Sequence, residues 1–152
     1  MIAEENLVKL NDVKKKLSKL DKRQSKSKNK NNKNNKNNKN IDPSDFISTL
    51  FRRASSKFIK TCKIEKLTKL AHDSFVLYLD FISSDKDFIV DTNTSKDGST
   101  VLKTIIYDRP FVVDSLAMLF ERLGIKEEFK LHPILSSSIS TNSKENLSLI
   151  HI

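Results

Sequence analysis

Few residues in this sequence have types that could do chemistry, and their spacing restricts what that chemistry could be. Asp108 and Asp114 bracket the segment Asp108-Arg109-Pro110-Phe111-Val112-Val113-Asp114-Ser115. With Pro110 as the first helical residue, Asp108 reads as a helix cap and Asp114 as an acid of the first turn, where the helix dipole favours it. Ser115 lacks a Gly-x-Ser-x-Gly elbow and any evident His/Asp partnership, so nucleophilic catalysis is not expected. His132 stands beside Pro133 on an expected strand. A lone imidazole can change charge near neutral pH, but His132 has no neighbouring acid, cysteine or second histidine at metal spacing. A structural role follows. His72 and His151 have still less support, and no metal site is expected. Cys62, the sole cysteine, excludes an internal disulfide and a thiolate zinc site and fits a reducing compartment. Only Gly98 and Gly124 are present, so no phosphate-cradling glycine loop can be written and no cofactor is expected.

The basic residues are the other chemical resource. Residues 1–40 hold 13 Lys/Arg against 4 Asp/Glu, whereas residues 41–152 hold 15 of each, so the whole net charge of +9 originates in the first 40 residues. Such a segment holds phosphates by counterion release without reading sequence. It contains no aromatic side chain and, among its basic residues, only one arginine, Arg23, so it lacks what single-strand binders use to add affinity. One reading of the chain is therefore a small nucleic-acid-associated protein that binds phosphates through this basic N-terminal segment, with weak, nonspecific, salt-sensitive association the most that is expected of it. The full chain should associate with DNA at low salt and release it at moderate salt, and residues 41–152 should do neither; equal binding by both would make the tract irrelevant. No apolar run approaches the ~20 residues needed to span a bilayer, and the apolar face of residues 2–22 has no aromatic anchor. No membrane partner is expected, and the cytoplasm is the default compartment.

The elements that must position these residues follow from periodicity. With 152 residues the chain has room for one ordinary domain. Leu7, Leu10, Val13, Leu17 and Leu20 recur at helical spacing within residues 1–23, about two heptads, short of an autonomous coiled coil; this helix docks on something, pairs weakly, or frays. Residues 24–40 form a Lys/Asn tract with nothing to bury, expected to be disordered. Asp42-Pro43-Ser44-Asp45-Phe46 stacks helix-start signals, with Asp42 as N-cap, Pro43 at the first position and Ile41 with Phe46 as a hydrophobic staple. Phe46, Ile47, Leu50, Phe51 and Ala54 continue one face. After a break at Ser55-Ser56, Ile64, Leu67, Ala71, Phe75, Tyr78 and Ile82 mark a longer helix, so residues 41–84 read as a helical hairpin.

Beyond Ser84 the pattern alternates. Phe88 and Val90 share a face, Thr92 to Ser99 supplies turn chemistry around Asp97-Gly98, and Thr100 to Tyr107 is a β-branched run, giving two strands. A helix from Pro110, with Phe111, Ser115, Leu116, Leu119, Phe120 and Leu123 inward, closes at Gly124 as a C′ glycine. Glu128 to Leu135 reads as a strand, Ser136 to Glu145 as a polar loop, and Leu147 to Ile152 as a further strand that would leave an apolar edge exposed. The fold class is α+β. An N-terminal helix and disordered tract precede a helical hairpin, and residues 85–152 contain an incomplete ferredoxin-like β-α-β-β unit lacking its last helix and strand.

The words along this unit are specific. Thr100 to Tyr107 running into Asp108-Arg109-Pro110-Phe111-Val112-Val113-Asp114-Ser115 resembles the start of the N-terminal ACT-like domain of the large bacterial NAD-specific glutamate dehydrogenases. Arg122-Leu123-Gly124 is similar to that family's helix ending, and Leu131-His132-Pro133-Ile134-Leu135 looks like its His-Pro-apolar strand. Phe51-Arg52-Arg53-Ala54 and the helix from Leu67 to Phe81 look like its N-terminal helices, so the resemblance covers residues 43–152. It implies a non-catalytic regulatory or structural piece, the product of a truncated or split gene, because the nicotinamide fold, catalytic lysines and glutamate pocket of the family have no counterpart here. The implied partners are a separately encoded remainder of the dehydrogenase or a second copy added through an edge strand. In ACT domains the strand-to-helix turn commonly lines an amino-acid effector site, where amides at the helix start hold a carboxylate. The resemblance therefore makes Asp108, Arg109, Pro110, Phe111, Asp114 and Ser115 a candidate effector-binding turn, beside the plainer reading of Asp108 and Asp114 as helix-start residues.

Overall fold

The computed structural model describes residues 4–27, 42–136 and 146–151. Its chain divides into two compact units, residues 1–76 and 77–152.

The first unit is helical. Helix α1 (Glu4–Ser27) packs against α2 (Pro43–Leu50) and α3 (Ser56–Thr61), burying Leu10, Val13 and Leu17. Of the three fates open to this helix, docking is the one realised. It runs through Gln24 to Ser27, which composition alone assigns to the disordered tract; no Gly or Pro stops it there. Residues 28–40 of that tract, and Ile41 of the expected staple, lie outside the described residues. Polar contacts fix the docking: Lys9 Nζ donates to the Lys60 carbonyl at 2.9 Å, and Lys16 Nζ lies 2.9 Å from Glu65 Oε1. That hydrogen bond is the main reason the Glu65 carboxyl titrates below its ordinary range.

Asp42 caps α2 as its residue type dictates, accepting from the Ser44 amide at 2.7 Å, with Pro43 opening the helix. Asp42→Ala should lower stability by about 1 kcal/mol in thermal or urea unfolding. Phe46, Ile47, Leu50 and Phe51 are buried, and the Phe46 ring meets Phe75 of α4 (Ile64–Ser83) edge-on at 5.1 Å. The break at Ser55-Ser56 begins a helix of its own, α3, because the Ser55 hydroxyl accepts from the Phe58 amide. The expected pair of helices over residues 41–84 is therefore three.

The second unit is built on a four-stranded antiparallel sheet of order β1-β2-β4-β3, with β1 Phe88–Thr94, β2 Thr100–Tyr107, β3 Ile134–Ser136 and β4 Asn146–His151. Strand β1 extends through Thr94, past the point where turn chemistry was expected to begin. The hairpin turns at Ser95 to Ser99, where Asp97 accepts from the Ser99 amide and hydroxyl and Gly98 takes φ +83°. The sheet joins the two expected strands, α5 (Val112–Arg122) and the later strands into one α+β unit, in keeping with the ACT-like description. Three expectations are corrected. The strand read at 128–135 shrinks to β3, preceded by an isolated bridge at Leu131, because Pro133 has no amide to donate. The last strand is not an apolar edge: β4 lies between β2 and β3, and Leu147 to Ile150 are buried on both faces. The β-α-β-β strands occupy only one side of β2, and the upstream strand β1 takes the other, so β1 and β3 are the edges. At the end of β2, Tyr107 meets Phe81 of the last turn of α4 at 5.6 Å.

Candidate functional site

The candidate site lies where β2 gives way to α5. Asp108, Arg109 and Pro110 are exposed, and Phe111 adopts φ +68°, the left-handed region that a side chain with a Cβ rarely takes. Phe111 is the N-cap of α5, and no side chain caps the helix. This corrects the expected helix start: Pro110 lies two residues before Val112, so it does not open the helix, and Asp108 does not cap it. Asp114 occupies the first turn as expected, and the Ser115 amide makes the first intrahelical bond, to the Phe111 carbonyl at 2.8 Å. The amides of Val112, Val113 and Asp114 therefore form a helix start with no capping side chain, and the exposed Asp108 and Asp114 carboxylates belong to the same segment.

Gly124 ends α5 as its position predicts. With φ +66° it donates to the Glu121 carbonyl, and Ile125 donates to that of Phe120, the two bonds of a Schellman motif. The helix between is less covered than its periodicity suggests. None of its residues is buried; Phe111, Ser115, Leu119 and Leu123, expected inward, are exposed, and Leu116 and Phe120 are only half-buried.

The remaining chemical residues are dispersed. His132 Nε2 lies 2.5 Å from the hydroxyl of buried Ser148, tying the approach to β3 onto β4, as does the bond from the Leu149 amide to the Pro133 carbonyl. His72 neighbours Asp73 on α4. His151 pairs in register with Lys103. Among the described residues no group of three or more His, Cys, Asp or Glu could hold a metal ion, and no helix is long and apolar enough to cross a membrane. Cys62, at the end of α3, has its thiol pushed up by burial, a push that Lys66 and then Lys9 oppose. At pH 8 the folded protein should react with a disulfide reagent about 3–10-fold more slowly than the denatured chain, since less of the thiol is ionised and access is reduced. Faster reaction in the folded state would mean that the lysines prevail.

One polar pair escaped sequence reasoning. Lys103 and Asp91 stand directly opposite on β2 and β1, with Nζ 2.6 Å from Oδ2; the lysine side chain is 5% exposed and the aspartate 42%. The hairpin register is symmetric about Asp97, with a five-residue loop from Ser95 to Ser99, and this puts position 91 opposite 103; a two-residue Asp97-Gly98 turn would put 91 opposite 104, so the pair was not readable from the turn.

Residues 46–147 match the family of the glutamate dehydrogenase ACT1 domain, a span that begins within α2 and includes α3 to α5, the whole hairpin and the turn at Asp108 to Ser115. The chain belongs to this family. No curated protein and no solved structure matches it. The ACT1 match begins after α1 and the Lys/Asn tract, so the basic segment lies outside the shared domain.

Proposed function

We propose that this chain supplies a regulatory module of a glutamate dehydrogenase, which binds an amino-acid effector at the β2–α5 turn. The observation that carries this reading is the start of α5 without a capping side chain, inside the segment matched by the ACT1 domain. An amino acid is a zwitterion. Its carboxylate suits the free amides and positive dipole end of the helix, and its ammonium suits the exposed carboxylates of Asp108 and Asp114. Arg109, Pro110, Phe111 and Ser115 complete the turn, with the left-handed Phe111 setting the direction from which the helix begins.

The test is a thermal melt of the full chain with each amino acid at millimolar concentration. An effector at ten times its Kd should raise the midpoint by about 3–6 °C, and Asp108→Asn with Asp114→Asn should abolish the shift. Absence of a shift with every amino acid would leave the turn without an effector.

A further inference from the structure

We propose that a lysine ridge on the outward side of α1, together with the Lys/Asn tract that follows it in sequence, is a binding surface for the phosphate backbone of a nucleic-acid duplex. The docking of α1 decides which of its sides is outward. Asn6, Leu10, Val13 and Leu17 are buried, so this line of the helix is taken up by packing on α2 and α3. Lys15, Lys19, Lys22 and Lys26 recur at spacings of four, three and four. At 100° per residue all four positions fall within about 30° of the line opposite the buried one. All four lie inside α1, which runs to Ser27, and Asp21, the one acid between them, falls off their line. Lys15 and Lys19 are exposed, and Lys15 reaches Asp12 only at 4.0 Å. Lys9 and Lys16, which hold the helix to the Lys60 carbonyl and Glu65, are off the ridge as well.

Composition selects the partner. From Gln24 to Asn40 every residue is Lys, Asn, Ser or Gln, side chains that donate to phosphate oxygens, and none is acidic. Lysines 28, 30, 33, 36 and 39 extend the positive run beyond the helix. The segment has no aromatic ring, so it cannot stack on the bases of a single strand, and the denser charge of a duplex is what it fits. A membrane surface is held by an apolar helix face, and α1 has its Leu10, Val13 and Leu17 face buried against its own unit. The surface precedes the ACT1 match, which begins at residue 46, so it is separate from the effector turn.

The test keeps the chain whole and uses no amino acid. Fluorescence anisotropy with DNA and RNA duplexes of about 30 base pairs and unrelated sequence should show an association constant that falls about 1,000-fold or more between about 50 and 200 mM salt. Replacing Lys15, Lys19, Lys22 and Lys26 together by Gln should weaken binding at the lower salt at least about tenfold and flatten the slope of log K against log salt by about three to four. Replacing the same four by Arg should leave both unchanged, which separates charge from any effect on folding. A control of equal net charge, with the exposed Lys57, Lys69, Lys96 and Lys126 replaced by Gln, should bind as the unaltered chain does. No binding at the lower salt, equal losses in the two Gln variants, or tighter binding to a single strand, to phosphatidylserine vesicles or to polyglutamate would overturn the proposal.

Discussion

Replacing Asp91 by alanine should destabilise the second unit by about 2–4 kcal/mol in urea unfolding, whereas Lys103→Met should cost less than about 1 kcal/mol. The asymmetry follows from where the two charges sit. Lys103 is all but enclosed, and its ammonium rests on one carboxylate at 2.6 Å, so losing Asp91 strands a cation away from water. Asp91 is 42% exposed, and water solvates it when the lysine is gone. Lys103→Met also keeps the long apolar stem on the sheet face that Ile89 and Ile105 share. The double variant Asp91→Ala with Lys103→Met should recover most of the loss, because the stranded charge goes with the lysine. Equal losses in the two single variants would show that the pair is hydrated.

Removing residues 146–152 should abolish cooperative unfolding of the sheet. Strand β3 pairs with β4 alone, and β4 is also the inner neighbour of β2, so its loss leaves β3 without a partner and strips β2 of half its ladder. Leu147, Leu149 and Ile150 leave with it, each fully buried, and truncating a single such side chain already costs about 2–5 kcal/mol. Against a domain stability of about 5–15 kcal/mol the sum is not survivable. Amide exchange reads this directly, as loss of protection along β2. Retained protection would mean that β4 is peripheral.

What was legible in advance was local chemistry. Asp42-Pro43 and Gly124 specify their helix ends because the groups that satisfy the open amides and carbonyls lie within a few residues. The sheet order was not legible, since nothing in Leu147 to Ile150 distinguishes an apolar edge from an interior strand until its two partners are known. Periodicity likewise identified α5 but overstated its burial: an apolar stripe says which side of a helix avoids water, not whether anything covers it. At the candidate turn, Pro110 suggested an early helix start. The left-handed Phe111 displaced it, a conformation for which a phenylalanine gives no warning. The resemblance carried by Pro110 to Ser115 was readable because those residues are contiguous, whereas Asp91 and Lys103 meet only through the register of the five-residue loop from Ser95 to Ser99, which an Asp97-Gly98 pair alone does not specify.

The most direct measurement is a titration of the isotopically labelled chain with amino acids, following each backbone amide by nuclear magnetic resonance. The account predicts saturable shifts at the amides of Val112, Val113 and Asp114 with at least one amino acid, and none with the corresponding decarboxylated amine. Shifts confined to other parts of the chain, or equal shifts with acid and amine, would contradict it.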